Sequence, residues 1–586
     1  MNGGDLLAKC LQHLGVQVAF GLHGGHLDAF LAGCEAVGIR LVDTRHETAA
    51  VQAAEGYARM SSKLGVCFVT ANSGFSNGIP GLATAFADRS PIVCITSSVP
   101  LRDTENNSLQ GSIDQVTASS AITKFAHRLT HAEDCPRILA YAVRVALTGA
   151  PGPVLLDVPI DVMFSPVHPK LVSHGSISCP LPYAAGPHPD AVKESIKLVM
   201  SSQRPVIITG SGASQGQVKP ELMAFAERYH IPIFNSSKHI YTCPKTFGLY
   251  GGAAQNIALL SNLAKVSPDL VLLLGARTGM FLGGRSGAII PPGCKLVQVD
   301  VDGSEIGRTL PVDVGIVSDL TTFLTAANQY NGSEVDEENK KDEWIALLPA
   351  LQVPPPSPFE SESGVHPESG LLHPYHALKQ LFSTVQKDCI VILDGGEASC
   401  WALDLAPLCE PSTVIAATGY LGFLGAGFGY VLGCAVAAPD KKIIHIQGDG
   451  SAGFHFMELD TYRRFGLDVL TVVVNNSCWG MSRNGQDLLF GSRVPHRPVS
   501  SLQPSVDFKS VAQGLGVHAA RVSRAEEMDR AVMDCQQRQG PGCIDLIVDR
   551  KPTHPMVETM VGPTSDPNVI VVSYYDNIPR PRYDVS

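Results

Sequence analysis

KIIHIQGDGSAGFHFMELDTYRRFGLDVLTVVVNN, residues 442–476, contains a strand, a turn, a helix and a second strand in one uninterrupted stretch. The first strand ends at a G-D-G turn that contains Asp449, and the second ends at a pair of asparagines. One helix and one strand separate the two turns, so a right-handed βαβ unit returns Asn476 to the carboxyl edge of the sheet beside Asp449. A carboxylate and an amide oxygen are therefore expected side by side.

The same alternation of apolar runs, turns and amphipathic helices occurs earlier in the chain. Residues 16–97 contain it, and PVIITGSGAS, DLVLLLGARTG and KLVQVDVDG begin another unit. The pattern predicts an α/β protein with three successive doubly wound parallel-sheet domains. We place a first domain at 1–180, a middle domain at 188–330, an acidic and Pro/Ser-rich linker at 331–373, a third domain at 374–551 and a tail at 552–586.

Composition excludes several classes of partner. The net charge is −11 with no basic run, which argues against nucleic acid. The uncharged run 413–438 is long enough to cross a membrane, but its closely spaced glycines favour a ligand-binding loop and a buried helix. Fifteen cysteines without metal-ligand spacing, and an N-terminus without a signal sequence, predict reduced thiols in a cytoplasmic protein.

The G-D-G turn and the asparagine pair have the chemistry of a diphosphate and magnesium site. Glycines after a strand allow backbone N–H groups to approach a diphosphate, and Mg²⁺ takes oxygen ligands in a near-octahedral arrangement. Asp449 and Asn476 offer two such oxygens, and the carbonyl group of Cys478 offers a third. A lone G-D-G would be no more than a turn; the strand, helix, strand and N-N around it favour the functional interpretation.

This pattern resembles the diphosphate motif of thiamine-diphosphate-dependent enzymes, in which N-N follows G-D-G by about two dozen residues. The resemblance implies thiamine diphosphate and Mg²⁺ as cofactors, with Asp449, Asn476 and Cys478 as metal ligands. The other cofactor contacts that it implies are Gly25, Asn77, Gly395, Gly396, Gly422, Leu424, Gly448, Gly450, Ser451, Trp479 and Gly480. The middle domain's GSGAS is interpreted as structural, so no flavin is expected.

The resemblance also implies a pyrimidine-binding first domain, in which Arg45-His46-Glu47 follows a strand and begins an alanine-rich helix. Glu47 matches the glutamate that activates the cofactor by hydrogen-bonding its pyrimidine ring, a task that burial of a carboxyl group favours. The alternative is a simple helix cap. The loop TANSGFSN, residues 70–77, departs from the family's usual T-S-G-P-G, which leaves its geometry open.

Within the family the chain looks most like benzaldehyde lyase. That resemblance implies that His26, the second histidine of HGGH, and Gln110 handle protons on the substrate oxygen. Three positions carry smaller residues than expected from that enzyme, namely Gly25, Ile160 and Ser399. A wider substrate pocket is therefore expected.

The leading hypothesis is a carbon–carbon lyase or carboligase that cleaves or forms 2-hydroxy ketones from aldehydes through a thiamine-bound acyl anion. The alternative is an acetolactate-synthase-like or 2-hydroxyacyl-CoA-lyase-like carboligase with a 2-oxo acid donor. A catalytically inactive scaffold is a third possibility, against which the presence of Glu47, Asp449 and Asn476 argues. The resemblance also implies a homodimer or homotetramer with active sites between chains.

Overall fold

The computed structural model describes the chain except for residues 104–105, 107–108, 112, 169–171, 173–176, 216–217, 237–241, 285–286, 288, 332–340, 353–356, 491–496, 498, 505, 558–568, 572–581 and 585–586. Three six-stranded sheets, parallel throughout, follow one another along the chain. Helices join the strands, as right-handed crossovers of parallel sheets require. The predicted α/β fold class with three successive sheets is confirmed.

The first sheet has the order β2-β1-β3-β4-β6-β5. Its strands are β1 Val18–Gly21, β2 Arg40–Asp43, β3 Gly65–Val69, β4 Ile92–Ser98, β5 Phe125–Arg128 and β6 Val154–Pro159. Its helices are α1 Gly3–His13, α2 Asp28–Val37, α3 Glu47–Ser61, α4 Ser73–Asp88, α5 Gln115–Ser119, α6 Cys135–Leu147 and α7 Ile160–Phe164. The central strands β3, β4 and β6 are buried along their whole length, because helices cover both faces.

The middle sheet has the order β12-β11-β10-β7-β8-β9. Its strands are β7 Pro205–Thr209, β8 Ile233–Asn235, β9 Tyr250–Ala253, β10 Leu270–Leu274, β11 Lys295–Asp300 and β12 Val314–Val317. The accompanying helices are α8 Pro189–Ser201, α9 Ser211–Gln215, α10 Lys219–Tyr229, α11 Asn256–Ala264 and α12 Leu320–Gln329. This is the strand order of a Rossmann-type sheet. Two short helices, α13 Lys341–Ile345 and α14 Leu348–Gln352, lie in the stretch that we assigned to the linker.

The third sheet repeats the strand order of the first, as β14-β13-β15-β16-β18-β17. Its strands are β13 Ile390–Leu393, β14 Thr413–Ala416, β15 Ile443–Gly448, β16 Val469–Asn475, β17 His518–Val522 and β18 Gly542–Ile547. Its helices are α15 Pro374–Thr384, α16 Glu397–Leu405, α17 Ala426–Ala437, α18 Asp449–His455, α19 Glu458–Arg464, α20 Gly480–Phe490, α21 Phe508–Gly514 and α22 Ala525–Gln536. Near the C-terminus, β19 Val569–Val571 and β20 Arg582–Asp584 form an antiparallel pair.

The first and third domains share one hydrophobic core, in which α3 lies against α17. Glycines allow the two helix backbones to touch: a Cβ atom on Gly433 would lie 2.0 Å from the carbonyl oxygen of Ala53, and one on Gly56 would lie 2.5 Å from that of Tyr430. The uncharged run 413–438 therefore forms β14, a loop and a buried helix. No helix in the described part of the chain is long and apolar enough to span a membrane. All fifteen cysteines are free thiols.

Candidate active site

The carboxyl ends of β1, β2 and β3 bring three loops of the first domain together. A Cβ atom on Gly24 would lie 2.1 Å from Oγ1 of Thr70, and one on Gly74 would lie 3.2 Å from Oε1 of Glu47. The contact at Gly24 is closer than van der Waals packing allows, and the contact at Gly74 leaves little room for a side chain. The HGGH, RHE and TANSGFSN segments therefore meet at one edge, which we call the first edge.

Glu47 is the first residue of α3, and its side chain is buried at the first edge. Nδ2 of Asn77 donates a hydrogen bond to its Oε2 at 3.0 Å. The hydroxyl group of Thr48 donates to the carbonyl oxygen of Asn77 and ties the start of α3 to α4. Asn77, predicted to contact the cofactor, therefore also orients the Glu47 carboxyl group.

A residue that the sequence did not single out holds the turn before Glu47. Glu458, at the start of α19 in the third domain, is 1% exposed. Its Oε1 accepts hydrogen bonds from the amides of Arg45 at 2.8 Å and His46 at 3.1 Å. Burial raises the pKa of Glu458 to about 7, against the effect of these bonds and of the Thr461 hydroxyl group. Nothing in the pattern FMELDTY signals this long-range contact.

His26 and Gln110 also lie at the first edge. His26 belongs to the short 3₁₀ turn Gly25–Leu27, and its partial burial lowers its pKa. Nε2 of Gln110 donates to the hydroxyl oxygen of Ser73 at 3.3 Å, at the start of α4. The other histidine of HGGH, His23, is exposed and paired with Asp28 at 2.9 Å.

In the third domain, the ends of β15 and β16 form a second edge, which we call the diphosphate edge. Asp449 is buried, and its described partners are backbone amides, its own and those of Gly450, Asn476 and Ser477. Burial raises the pKa of Asp449 to about 7 despite these hydrogen bonds. Oδ1 of Asn476 accepts from the amide of Cys478 at 3.2 Å. A buried carboxylate, an amide oxygen and a chain turn of this kind suit a hard divalent cation, whose positive charge would balance the negative charge of Asp449.

Close approaches explain the predicted glycines of this edge. A Cβ atom on Gly450 would lie 2.6 Å from the ring of Trp479, and one on Gly480 would lie 3.0 Å from Nδ2 of Asn476. The hydroxyl group of Ser451 donates to the carbonyl oxygen of Gly448 at 3.1 Å. The residues predicted around the diphosphate therefore lie together.

The loop that contains Gly422 and Leu424 packs over the end of β13. A Cβ atom on Gly395 would lie 2.5 Å from a methyl carbon of Leu424. Asp394, which the sequence analysis passed over, anchors this loop by accepting hydrogen bonds from the amides of Gly425 at 3.1 Å and Gly427 at 3.0 Å. Its burial raises its pKa to about 6. Positive φ angles of 84° at Gly396 and 65° at Gly422 explain why glycine is needed at both.

Glu397 is a second buried acid at this edge that the sequence analysis missed. Its Oε2 accepts from Nδ2 of Asn484 at 2.8 Å, and its Oε1 from the amide of His554 at 2.7 Å. The ring of His554 lies edge-on to Trp401, with 4.6 Å between centroids. The beginning of the C-terminal tail is therefore docked on α16, beside the diphosphate edge.

Models of three thiamine pyrophosphate enzyme domains match the chain: the N-terminal TPP-binding domain over residues 1–118, the central domain over 192–327 and the C-terminal TPP-binding domain over 394–546. The chain belongs to the thiamine pyrophosphate enzyme family. The two TPP-binding matches include the first edge and the diphosphate edge respectively. The protein is therefore a thiamine-diphosphate-dependent enzyme.

Several relatives within this family align over nearly the whole chain. The probable acetolactate synthase large subunit of Methanocaldococcus jannaschii is 29% identical, covering 95% of this chain and 93% of its own length. The acetolactate synthase large subunit of Corynebacterium glutamicum is 29% identical, covering 94% of this chain and 87% of its own length. The acetolactate synthase isozyme 2 large subunit of Escherichia coli K12 is 28% identical, covering 94% of this chain and 96% of its own length. These names favour the alternative that we derived from sequence over the benzaldehyde-lyase-like hypothesis.

Proposed function

We propose that the protein is a thiamine-diphosphate- and Mg²⁺-dependent carboligase that takes its acyl donor from a 2-oxo acid. The observation that carries the proposal is that relatives named acetolactate synthase align over nearly the whole chain, including both edges. The buried Glu47 carboxyl group and the buried Asp449 carboxyl group support it, because each has the environment that its role requires.

Thiamine diphosphate, when bound, would supply a carbon that is nucleophilic toward carbonyl groups. Asp449, Asn476 and the carbonyl group of Cys478 would hold Mg²⁺, and the backbone at Gly448, Gly450 and Ser451 would hold the diphosphate. Gly25, Asn77, Gly395, Gly396, Gly422, Leu424, Trp479 and Gly480 complete the binding surface. Glu47 holds a proton against the pyrimidine ring, and Asn77 keeps the carboxyl group in place.

A second copy of the chain completes each active site in this proposal. The described hydrogen-bond partner of the Glu47 carboxyl group, Asn77, belongs to the first domain, whereas those of Asp449 belong to the third. As the resemblance to the family implies, we propose a homodimer, or a homotetramer built from it, in which Glu47 of one chain faces the diphosphate edge of the other. The free thiols suit a reducing compartment, and we propose the cytoplasm.

The lyase reaction on 2-hydroxy ketones is a second candidate, favoured by the surroundings of His26. Its lowered pKa leaves a neutral imidazole at physiological pH, which can accept a proton from a substrate hydroxyl group. A Cβ atom on the neighbouring Gly25 would meet only Oδ2 of Asp28, at 3.9 Å. The space beside His26 is thus open to a bulky substituent.

The test is turnover of pyruvate and of (R)-benzoin by the purified protein with thiamine diphosphate and Mg²⁺. Glu47→Gln is compared with Glu35→Gln, which changes an exposed glutamate of the same domain. Carbon dioxide release from pyruvate with a carbon–carbon-bonded product, lost only in Glu47→Gln, is the expected result. Benzoin cleavage alone would replace the leading proposal with the second candidate, and turnover of neither would overturn both.

A further inference from the structure

Asn72 has a backbone conformation that residues other than glycine rarely adopt. It lies between β3 and α4 at the first edge, with φ 48° and ψ −70°, and it is 5% exposed. An asparagine here is strained, so surrounding contacts must hold it in place.

Those contacts come from the segment that contains Gln110. Nδ2 of Asn72 donates to the carbonyl oxygen of Gln110 at 2.7 Å, and its Oδ1 accepts from the amide of Ile113 at 3.0 Å. Its own amide donates to Oε1 of Gln115 at 2.8 Å, and Nε2 of Gln115 donates to the carbonyl oxygen of Ser97 at 2.9 Å. The Asn72 side chain therefore ties Gln110 and Ile113 to the loop after β3, and we call its two hydrogen bonds the clamp. The Asn72 amide and the Gln115 side chain connect the same loop to β4.

The clamp bears directly on the side chain of Gln110. Gln110 is itself left-handed, with φ 62°, which is unfavourable for glutamine without a partner for its backbone. Its side chain reaches Ser73, the residue next to Asn72. Gly74 then lies against Glu47. Asn72 thus connects the Gln110 turn to the loop that packs on the buried acid.

We infer that Asn72 is a positioning residue, whose side-chain amide fixes Gln110 at the first edge and thereby sets the rate of carbon–carbon bond formation. This inference rests on the proposed function and on the prediction from sequence that Gln110 handles protons on the substrate oxygen. Asn72 acts through Gln110 and needs no contact with substrate or cofactor. The glycine of the family's T-S-G-P-G loop would satisfy the backbone but could not form the clamp.

Three variants separate the clamp from the strain. Asn72→Gly removes both. Asn72→Ala removes the clamp and keeps the strain. Asn72→Asp keeps the acceptor for Ile113 and loses the donor to Gln110. Ser62→Gly is the matched control, because Ser62 is exposed and also left-handed, with φ 57°.

The first measurement is hydrogen–deuterium exchange by mass spectrometry, without cofactor, on peptides covering residues 109–115. We expect faster exchange in Asn72→Gly and Asn72→Ala, wild-type exchange in Ser62→Gly, and an unchanged melting temperature in Asn72→Gly. Unchanged exchange in Asn72→Gly would overturn the clamp. The exchange experiment tests the clamp even if the wild-type protein turns over neither substrate class and the proposed function fails.

The second measurement is steady-state kinetics on the donor that the wild-type protein accepts. Asn72→Gly is expected to lower kcat by about tenfold with little change in the apparent affinity for thiamine diphosphate, because misplacement of a substrate-facing group costs rate rather than cofactor binding. Adding Asn72→Gly to Gln110→Ala should cost nothing further, since the two act as one unit. Additive losses, or an unchanged kcat, would overturn the positioning role.

Discussion

The first edge and the diphosphate edge are built in different ways. At the diphosphate edge, buried carboxylates accept hydrogen bonds from nearby backbone amides of their own domain, as Asp449 and Asp394 do. At the first edge, the Asn77 side chain donates a hydrogen bond to the Glu47 carboxyl group. The side chain of Glu458, in another domain, accepts a hydrogen bond from the RHE turn. Asp449 and Asp394 are thus held by contacts within the third domain, whereas the turn before Glu47 is held by a residue of another domain.

The largest expected effect tests whether one active site uses both edges of one chain. Glu47→Gln and Asp449→Ala are each expected to be inactive alone, because each damages every site. Dimers formed from a mixture should regain roughly a quarter of wild-type activity, since half are mixed and each mixed dimer has one undamaged site. Specific activity after co-refolding is measured, and no recovery in dimers shown by mass spectrometry to be mixed would place both edges of a site in one chain.

Variants at the two edges should also differ in their affinity for thiamine diphosphate. Asp449→Ala is expected to weaken thiamine diphosphate binding with Mg²⁺ by about a hundredfold, because the metal loses its charged ligand. Glu47→Gln should bind nearly as the wild type does, and Asp440→Asn, an exposed aspartate of the same domain, serves as the control. Calorimetric titration measures this, and equal losses in the two edge variants would contradict the division of roles.

The link between domains should show in the pH dependence of stability. The pKa of Glu458 is raised by burial to about 7, so its neutral form is favoured in the folded state. The contribution of the neutral Glu458 carboxyl group to the free energy of unfolding is fully present below the ordinary glutamate pKa and is lost as pH rises through about 7. Glu458→Gln keeps an oxygen for the two amides and removes the titration. Relative to wild type, it should gain about 2 to 3 kcal/mol in unfolding free energy between pH 4.5 and 8.

Denaturant unfolding of both proteins across that range gives the difference directly. Glu526→Gln, which changes an exposed glutamate of the same domain, is the control and should track the wild type. A constant difference between Glu458→Gln and wild type would mean that folding leaves the pKa of Glu458 unshifted.

The smallest expected effect compares one glycine from each edge. Gly450→Ala should cost roughly 1 to 2 kcal/mol of unfolding free energy, because its Cβ atom would lie 2.6 Å from the Trp479 ring. Gly25→Ala should change stability by less than about 0.5 kcal/mol, since its nearest contact is 3.9 Å away. Thermal unfolding checks the pair, and equal losses would show that the space beside Gly25 is filled in solution.

Much of the site could be predicted because its motifs are local. G-D-G, N-N and R-H-E each follow a strand, and parallel strands bring such turns to the edge of their sheet, so the sequence placed Asp449, Asn476 and Glu47 at sheet edges without coordinates. Asp394, Glu397, Glu458 and the clamp of Asn72 were missed, because their partners lie far along the chain or in unusual backbone. A glutamate at a helix start looks the same whether it caps that helix or binds a distant turn.

Sequence alone therefore settled the α/β class, the order of three sheets and the family, since strand and helix periodicities and turn residues are properties of neighbours in the chain. Tertiary structure alone decided that the first and third domains share a core, that α17 is buried against α3, and that Glu458 holds the RHE turn. These features arise from burial and from hydrogen bonds between residues hundreds of positions apart, and no local pattern encodes which distant partner a side chain meets.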